Sequence, residues 1–376
     1  MTDSDTLFDP VTLNDLELDG RVGLAPMTRV SATDDGRATD EMARYYSKFA
    51  DGGFSFLITE GTYTDDAYSQ GYLNQPGLVT DEQVEAWRGV VDAVHDADAP
   101  IFAQLMHAGA QAQGNPHVDD GETIAPSDVQ PEGEMAEAYG GSGEYYVPNR
   151  ATKEQLDDAR EGFVEAAKNA RKAGFEGVEI HAANGYLLNE FLAADANRRD
   201  DEYGGDPAAR ARYPASVVEA VAEELPEGFV VGVRVSQTKV SDAEYEWAEG
   251  EDAAEAFFGA FSEAGADYLH VTDPDVTAPA FDDGGPTLAE HAVEYGDAPV
   301  VANGGLTDPE DAREAVEAGS DLVTLATGAL ANPDWPHRVR SGADVEDLDA
   351  FDPESFLAPS ASIADHEVPS EASADD

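Results

Sequence analysis

Eight short apolar runs punctuate the chain: RVGLAP (21–26), FSFLITEG (54–61), PIFAQLMH (100–107), GVEIHAA (177–183), VVGVRVS (230–236), DYLHVTD (267–273), PVVANG (299–304) and LVTLATG (322–328). They are rich in Val, Ile, Leu and Phe and nearly continuous in hydrophobicity, the pattern of parallel strands buried on both faces. Amphipathic helical patterns separate them at 40–52, 81–99, 152–174, 210–225, 251–265 and 309–318, with shorter ones in LAEHAVEYG and PDWPHRVR. Helix starts are legible: TDEQ (80–83) and TKEQ (152–155) are capping boxes, and Asp308 followed by Pro309 is an N-cap with proline at the first helical position. Eight strands alternating with helices predict a (β/α)8 TIM barrel. A doubly wound open sheet would need a glycine-rich first turn, and APMTRVSATDDG after the first run is not one.

The barrel is expected to span 1–342 as one domain. Within it, 108–150, rich in Gly, Pro and acids, reads as a long insertion after the third strand, a lid. From 343 to 376 the chain turns acidic and small-residue-rich and is expected to be a flexible tail.

Charge narrows the function. With 79 Asp+Glu against 21 Lys+Arg the net charge is −58, spread along the whole chain. Such a field repels nucleic acid and anionic membrane, since phosphate binding needs clustered Lys and Arg. It points instead to a halophilic protein, whose acidic surface is screened and solvated at high salt. No apolar run approaches the ~18 residues of a membrane span, and the acidic start MTDSDTLFDP is unlike a signal peptide, so a soluble cytoplasmic protein is expected. The absence of cysteine excludes disulfides, thiolate zinc sites, cysteine-ligated iron–sulfur clusters and cysteine nucleophiles.

In a barrel of this kind the chemistry sits at the C-terminal ends of the strands. Thr28 follows the first run, Glu60 and Gly61 close the second, and Gln104 and His107 end the third. His181, Asn184 and Tyr186 follow the fourth, Arg234 closes the fifth, Asn303–Gly304–Gly305 follow the seventh, and Thr327–Gly328 the eighth. Polar groups thus converge on one rim. The i, i+3 spacing of His181 and Asn184 is expected to put them on one side of a helical turn.

From RVGLAPMTR through HAANGYLLNEFLAADANRRDDEYGG and GVRVS to VVANGGLTDPE and ALANPDW, the sequence resembles the Old Yellow Enzyme family of FMN-dependent oxidoreductases over about residues 5–340. The resemblance implies non-covalently bound FMN, reduced by NADH or NADPH, that passes a hydride to the β-carbon of an electron-poor alkene, an enone or nitro compound. It implies Arg234 as the cation beside the flavin's N1 and O2, Gln104 on the pyrimidine edge, and Thr28 as a donor to O4. Pro26, Met27 and Gly61 would approach the ring through backbone. Asn303, Gly304, Thr327 and Gly328 would hold the phosphate. His181 and Asn184 would bind the substrate's activating oxygen, and Tyr186 would protonate the α-carbon. Met106 takes a pocket-lining position where relatives often carry a larger aromatic or a histidine. At Thr327 the sequence departs from the family, in which many members place an arginine on the phosphate; losing a bidentate cation weakens that grip.

Simpler readings stand beside these. His95, His117, His270, His291, His337 and His366 read as structural. His107 divides between a structural or lid-contact role and the substrate pocket, and Glu60 between a general base and a loop-ordering role. A metal-dependent hydrolase lacks its ligand cluster, and a flavin-dependent tRNA-modifying or iron–sulfur reductase its cysteines. A desaturase of the same family, or a barrel that has lost FMN and acts as a binding protein, is the alternative. The oligomeric state, a homo-oligomer included, is not fixed by the sequence.

Overall fold

The computed structural model describes residues 5–118, 121–281 and 284–368. The eight apolar runs form parallel strands: β1 (Val22–Leu24), β2 (Phe56–Ile58), β3 (Ile101–Met106), β4 (Gly177–Asn184), β5 (Val230–Lys239), β6 (Tyr268–Thr272), β7 (Val300–Asn303) and β8 (Leu322–Leu325). Each pairs with its neighbour in sequence, and β8 pairs with β1, Thr324 opposite Gly23, so the sheet closes into a barrel. The outer ring is α1 (Asp40–Asp51), α2 (Asp81–His95), α3 (Lys153–Ala173), α4 (Pro207–Glu224), α5 (Glu251–Glu263), α6 (Leu288–Tyr295), α7 (Pro309–Glu317) and α8 (Trp335–Arg340). Both expected capping boxes are formed, and Asp308 caps α7 with Pro309 at its start. The α4 helix begins at Pro207, capped by Asp206, earlier than periodicity predicted. The first helical position has no intrahelical use for an N–H, so proline starts a helix there without penalty.

Along each strand, alternate side chains enter the barrel. At the N-terminal ends these are apolar: Phe56, Phe102, Val230, Tyr268, Val301 and Leu322 pack with Leu13 and Leu18. The two leucines come from a hairpin (Val11–Leu13 with Leu16–Leu18) that plugs the barrel floor. Each is 1% exposed and stabilises by ~2 kcal/mol through burial. Toward the C-terminal ends the inward residues turn polar, and there the site is built.

Between β3 and α3, the insertion carries a small parallel pair, Ile124–Ala125 with Asn149–Arg150. The free tail expected from 343 is corrected as far as Val368. A short helix (Pro353–Leu357) leads to Ala361, Ile363 and Glu367, all buried against the barrel. Acidic composition averaged over this stretch hides a carboxylate that is paired internally. Residues 369–376 lie outside the described residues. Among the described residues no helix is long and apolar enough to cross a membrane.

Candidate active site

The lowest polar layer centres on Glu179 of β4, which is 0% exposed. Gln104 Nε2 donates to its Oε1 at 2.8 Å, and Tyr268 Oη donates to Oε2 at 3.0 Å. His270 Nδ1 lies 2.7 Å from Oε2, and His270 Nε2 lies 2.9 Å from Thr324 Oγ1. Burial pushes the Glu179 carboxyl up, but His270, Arg234 and the hydrogen bonds outweigh it and hold the group below its usual value. His270 is therefore structural, as its bland reading had it, and the network fixes the rotamer of Gln104.

One layer higher, Arg234 of β5 stands opposite His181 of β4 in the ladder. One guanidinium nitrogen of Arg234 donates to Asn303 Oδ1 at 2.6 Å and to Thr272 Oγ1 at 3.1 Å. Its Nε is buried with no partner among the described residues. Burial lowers the Arg234 pKa, yet a guanidinium remains charged. A fixed cation with an unused donor thus lies beneath the open end of the barrel.

Above it is a cavity of about 260 Å³ at the C-terminal ends of the strands. It is lined by Pro26, Met27 and Thr28 after β1, Gln104 and Met106 on β3, and His181, Asn184 and Tyr186 at the end of β4. Arg234 and Thr327 also line it, with Arg29, Tyr139, Phe351 and Leu357 beside them. Gly61, Asn303, Gly304 and Gly328 do not line it. Asn303 turns inward, accepting from Arg234 and donating from Nδ2 to Thr324 O at 2.9 Å, so its side chain braces the cation. Gly304 has φ 137°, and a Cβ there would lie 1.8 Å from Asp273 O, a position only glycine fills. At Gly61 a Cβ would come within 2.7 Å of Met106 Sδ. Thr327 is exposed at the start of a short helix, Thr327–Ala331.

The expectation of a helical turn for His181 and Asn184 is corrected: both belong to β4. Asn184 adopts φ 61°, a left-handed kink that asparagine tolerates, and Gly185 continues it at 84°. The kink is held by backbone bonds. Asn184 N donates to Ser236 Oγ at 2.7 Å, and Asn184 O accepts from Gln111 Nε2 at 2.7 Å and Val240 N at 2.9 Å. The longer β5, whose Lys239 pairs with Asn184 after a register shift, supplies this support. Buried Asn189 pins the next turn, accepting from Gly185 N and donating to Ala182 O and Ser236 O. The Asn184 carboxamide itself has no hydrogen-bond partner among the described residues and faces the cavity.

His181 is 3% exposed. Burial, then the neighbouring Arg234 charge, push its pKa down to about 3, so the ring is neutral. The Ala183 amide approaches Nδ1 at 3.4 Å, which assigns the proton to Nε2. The ring packs edge-on to Tyr186, centroids 5.0 Å apart. Tyr186 is buried, and burial holds its phenol far above the ordinary value, hence protonated. Its hydroxyl is hydrogen-bonded to Tyr72 Oη. Tyr72, in the loop after β2, carries no sequence signal beyond an aromatic among polar neighbours, GYLNQ, and sequence reasoning missed it.

Glu60 Oε2 accepts from Arg29 N at 2.9 Å and Val30 N at 3.0 Å, ordering the loop that carries Thr28. Burial pushes its pKa up to about 7. The geometry favours the loop-ordering reading. His107 does not line the cavity; Gly109 N donates to its Nδ1 at 3.2 Å, and burial lowers its pKa.

The sequence model of the group described as the NADH:flavin oxidoreductase / NADH oxidase family matches residues 6–346. A 12-oxophytodienoate reductase 1 from Oryza sativa subsp. japonica is 32% identical over 361 residues, covering 91% of this chain and 88% of the relative. A protein of Leishmania infantum named "Probable flavin mononucleotide-dependent alkene reductase" is 33% identical over 359 residues, covering 94% of both chains. The solved structure of morphinone reductase in complex with tetrahydroNAD superposes with a TM-score of 0.80 at 31% identity, covering 97% of this chain and 99% of that one.

Proposed function

This chain belongs to the NADH:flavin oxidoreductase / NADH oxidase family, and from that premise we propose how its cavity reduces an activated alkene. The protein is an FMN-dependent oxidoreductase that takes reducing equivalents from NADH or NADPH. Its substrates are α,β-unsaturated carbonyl or nitro compounds. When bound, FMN supplies the two-electron relay between nicotinamide and alkene.

The residues fit that cofactor. The buried, unpartnered Nε of Arg234 is a donor awaiting an electron-rich group, and its charge would stabilise the anionic edge of a reduced flavin. Gln104 spends one amide proton on Glu179, leaving Oε1 and the second N–H for a pyrimidine edge. The Thr28 hydroxyl, in the cavity lining beside Pro26 and Met27, would tune the ring as a hydrogen-bond donor. Gly304, Thr327 and Gly328 would meet the phosphate with backbone donors and one hydroxyl, without the arginine common in the family.

For the substrate, the neutral His181 Nε2–H and the Asn184 carboxamide would both donate to the activating oxygen. That stabilises the enolate-like charge developing there, as an oxyanion hole does. Tyr186 holds a proton at Oη at neutral pH and would deliver it to the α-carbon. The observation that carries this reading is the convergence of three neutral donors on one cavity above a buried cation with one unspent donor. We also read the charge of −58 as adaptation to high salt, and the use of NAD(P)H as fitting a cytoplasmic setting.

The test is the visible spectrum of the purified protein and its enone-dependent oxidation of NADH and NADPH. A yellow protein, or one that FMN reconstitutes, with cyclohexenone-dependent turnover is the expected result. A colourless protein that FMN cannot reconstitute would favour a binding barrel instead.

A further inference from the structure

We propose that the C-terminal segment 345–368 is the size-selecting wall of the substrate pocket, with Leu357 and Phe351 setting the bulk of alkene admitted and a buried Arg29–Glu367 pair holding the wall in place. The proposal rests on the reading that this cavity takes the alkene.

Leu357 and Phe351 line the same cavity as His181, Asn184 and Tyr186. They extend an apolar part of the lining that also includes Met27, Met106 and Leu330, the part a hydrocarbon skeleton would meet. The attachment is built like a clasp. Arg29, which directly follows Thr28, donates to both oxygens of Glu367, at 2.5 and 2.6 Å, and from Nε to Ala361 O at 3.0 Å. Arg29 and Glu367 are 1% and 2% exposed. Lys48 Nζ donates to Glu367 O at 2.6 Å, and Ile363 N donates to Ser31 Oγ at 2.8 Å. On the other side, Ala361 N donates to Ala138 O at 2.9 Å. Ala138 precedes Tyr139, the lid residue that also lines the cavity. The wall is therefore tied both to the loop bearing Thr28 and to the insertion. Because the paired charges are buried, releasing one strands the other in a low-dielectric setting; the clasp holds the wall in one position.

The test compares the full-chain holoenzyme with Leu357→Ala, Leu357→Trp and Glu367→Gln, using cyclohexenone and an enone bearing a fused second ring. The ratio of kcat/KM, bulky over small, should rise about tenfold in Leu357→Ala and fall by a similar factor in Leu357→Trp, as pocket-size changes do. The change should sit in KM and reverse sign between the two variants; a merely structural defect would lower both substrates together. Glu367→Gln should raise the ratio in the same direction as Leu357→Ala, and speed amide hydrogen exchange in 353–363 while β4 and β5 keep their protection. An unchanged ratio in both Leu357 variants overturns the wall. Exchange that rises equally in β4 and β5, or not at all in 353–363, overturns the clasp. A wild-type protein that reduces neither enone overturns the functional reading, and the proposal with it.

Discussion

Replacing Glu60 with glutamine isolates the energetic consequence of ordering the β1 loop with a buried carboxyl. The group is 0% exposed; two backbone N–H groups reach Oε2, while Oε1 has no partner among the described residues. Burial pushes its pKa from 4.5 up to about 7. The folded state thus holds this proton more tightly than the unfolded chain. Its stabilising contribution is full below 4.5 and is lost as pH rises through about 7. At about 1.36 kcal/mol per unit, the gap between those values amounts to ~3 kcal/mol once both states are ionised, of which ~2.5 kcal/mol is lost between pH 5 and pH 8. Glutamine keeps an acceptor for the two amides and does not titrate, and any penalty for its unpaired amide is independent of pH. The stability of Glu60→Gln relative to wild type should therefore rise by ~2.5 kcal/mol from pH 5 to pH 8. Urea denaturation at fixed salt and FMN concentration reads this directly. A difference that stays flat across this range, or grows in the opposite direction, would refute the reasoning.

Tyr186→Phe should retain flavin reduction by NAD(P)H but slow cyclohexenone reduction about a hundredfold or more, the usual worth of a positioned acid; single-turnover kinetics would show equal alkene rates if Tyr186 is not the acid. Because His181 titrates at about 3, kcat/KM for the enone should show no inflection near 6.5 as pH falls from 8 to 5. An inflection there that disappears in His181→Asn would contradict the neutral-donor assignment. Gly304→Ala, whose Cβ would meet Asp273 O at 1.8 Å, should displace the loop after β7 and weaken FMN retention at least about tenfold, read by flavin fluorescence titration. Unchanged retention would remove that loop from the phosphate site. With a net charge of −58, the melting temperature should rise steeply from dilute buffer to molar KCl; a salt-independent value would sink the halophilic reading.

The strands of the barrel were legible because burial on both faces leaves continuous apolar runs, and the helices because Thr80, Thr152 and Asp308 mark their starts chemically. The floor hairpin was not, since VTLNDLEL alternates over strands of only three residues each. His181, Asn184 and Tyr186 could be gathered from sequence, but the device that aims Asn184 could not. It depends on a left-handed residue held by Gln111 and the far end of β5, contacts between distant parts of the chain. Asn303 was placed at the phosphate by the family resemblance; its side chain braces Arg234, and spacing does not reveal which way a strand-end residue turns. Tyr72 and Leu357 lie in segments without periodicity. Glu367 was hidden among other acids, and only the fold shows that it meets a buried arginine.

The central claim is that the donors above Arg234 bind and activate an alkene. Anaerobic stopped-flow mixing of the NADH-reduced holoenzyme with cyclohexenone tests it most directly, in wild type and in the His181→Ala/Asn184→Ala double variant. The predicted result is rapid, saturable return of the oxidised flavin spectrum in wild type, and a loss of about a hundredfold or more in the variant, with reduction by NADH still observed in both. Reoxidation by the enone at the same rate in both proteins would contradict the account.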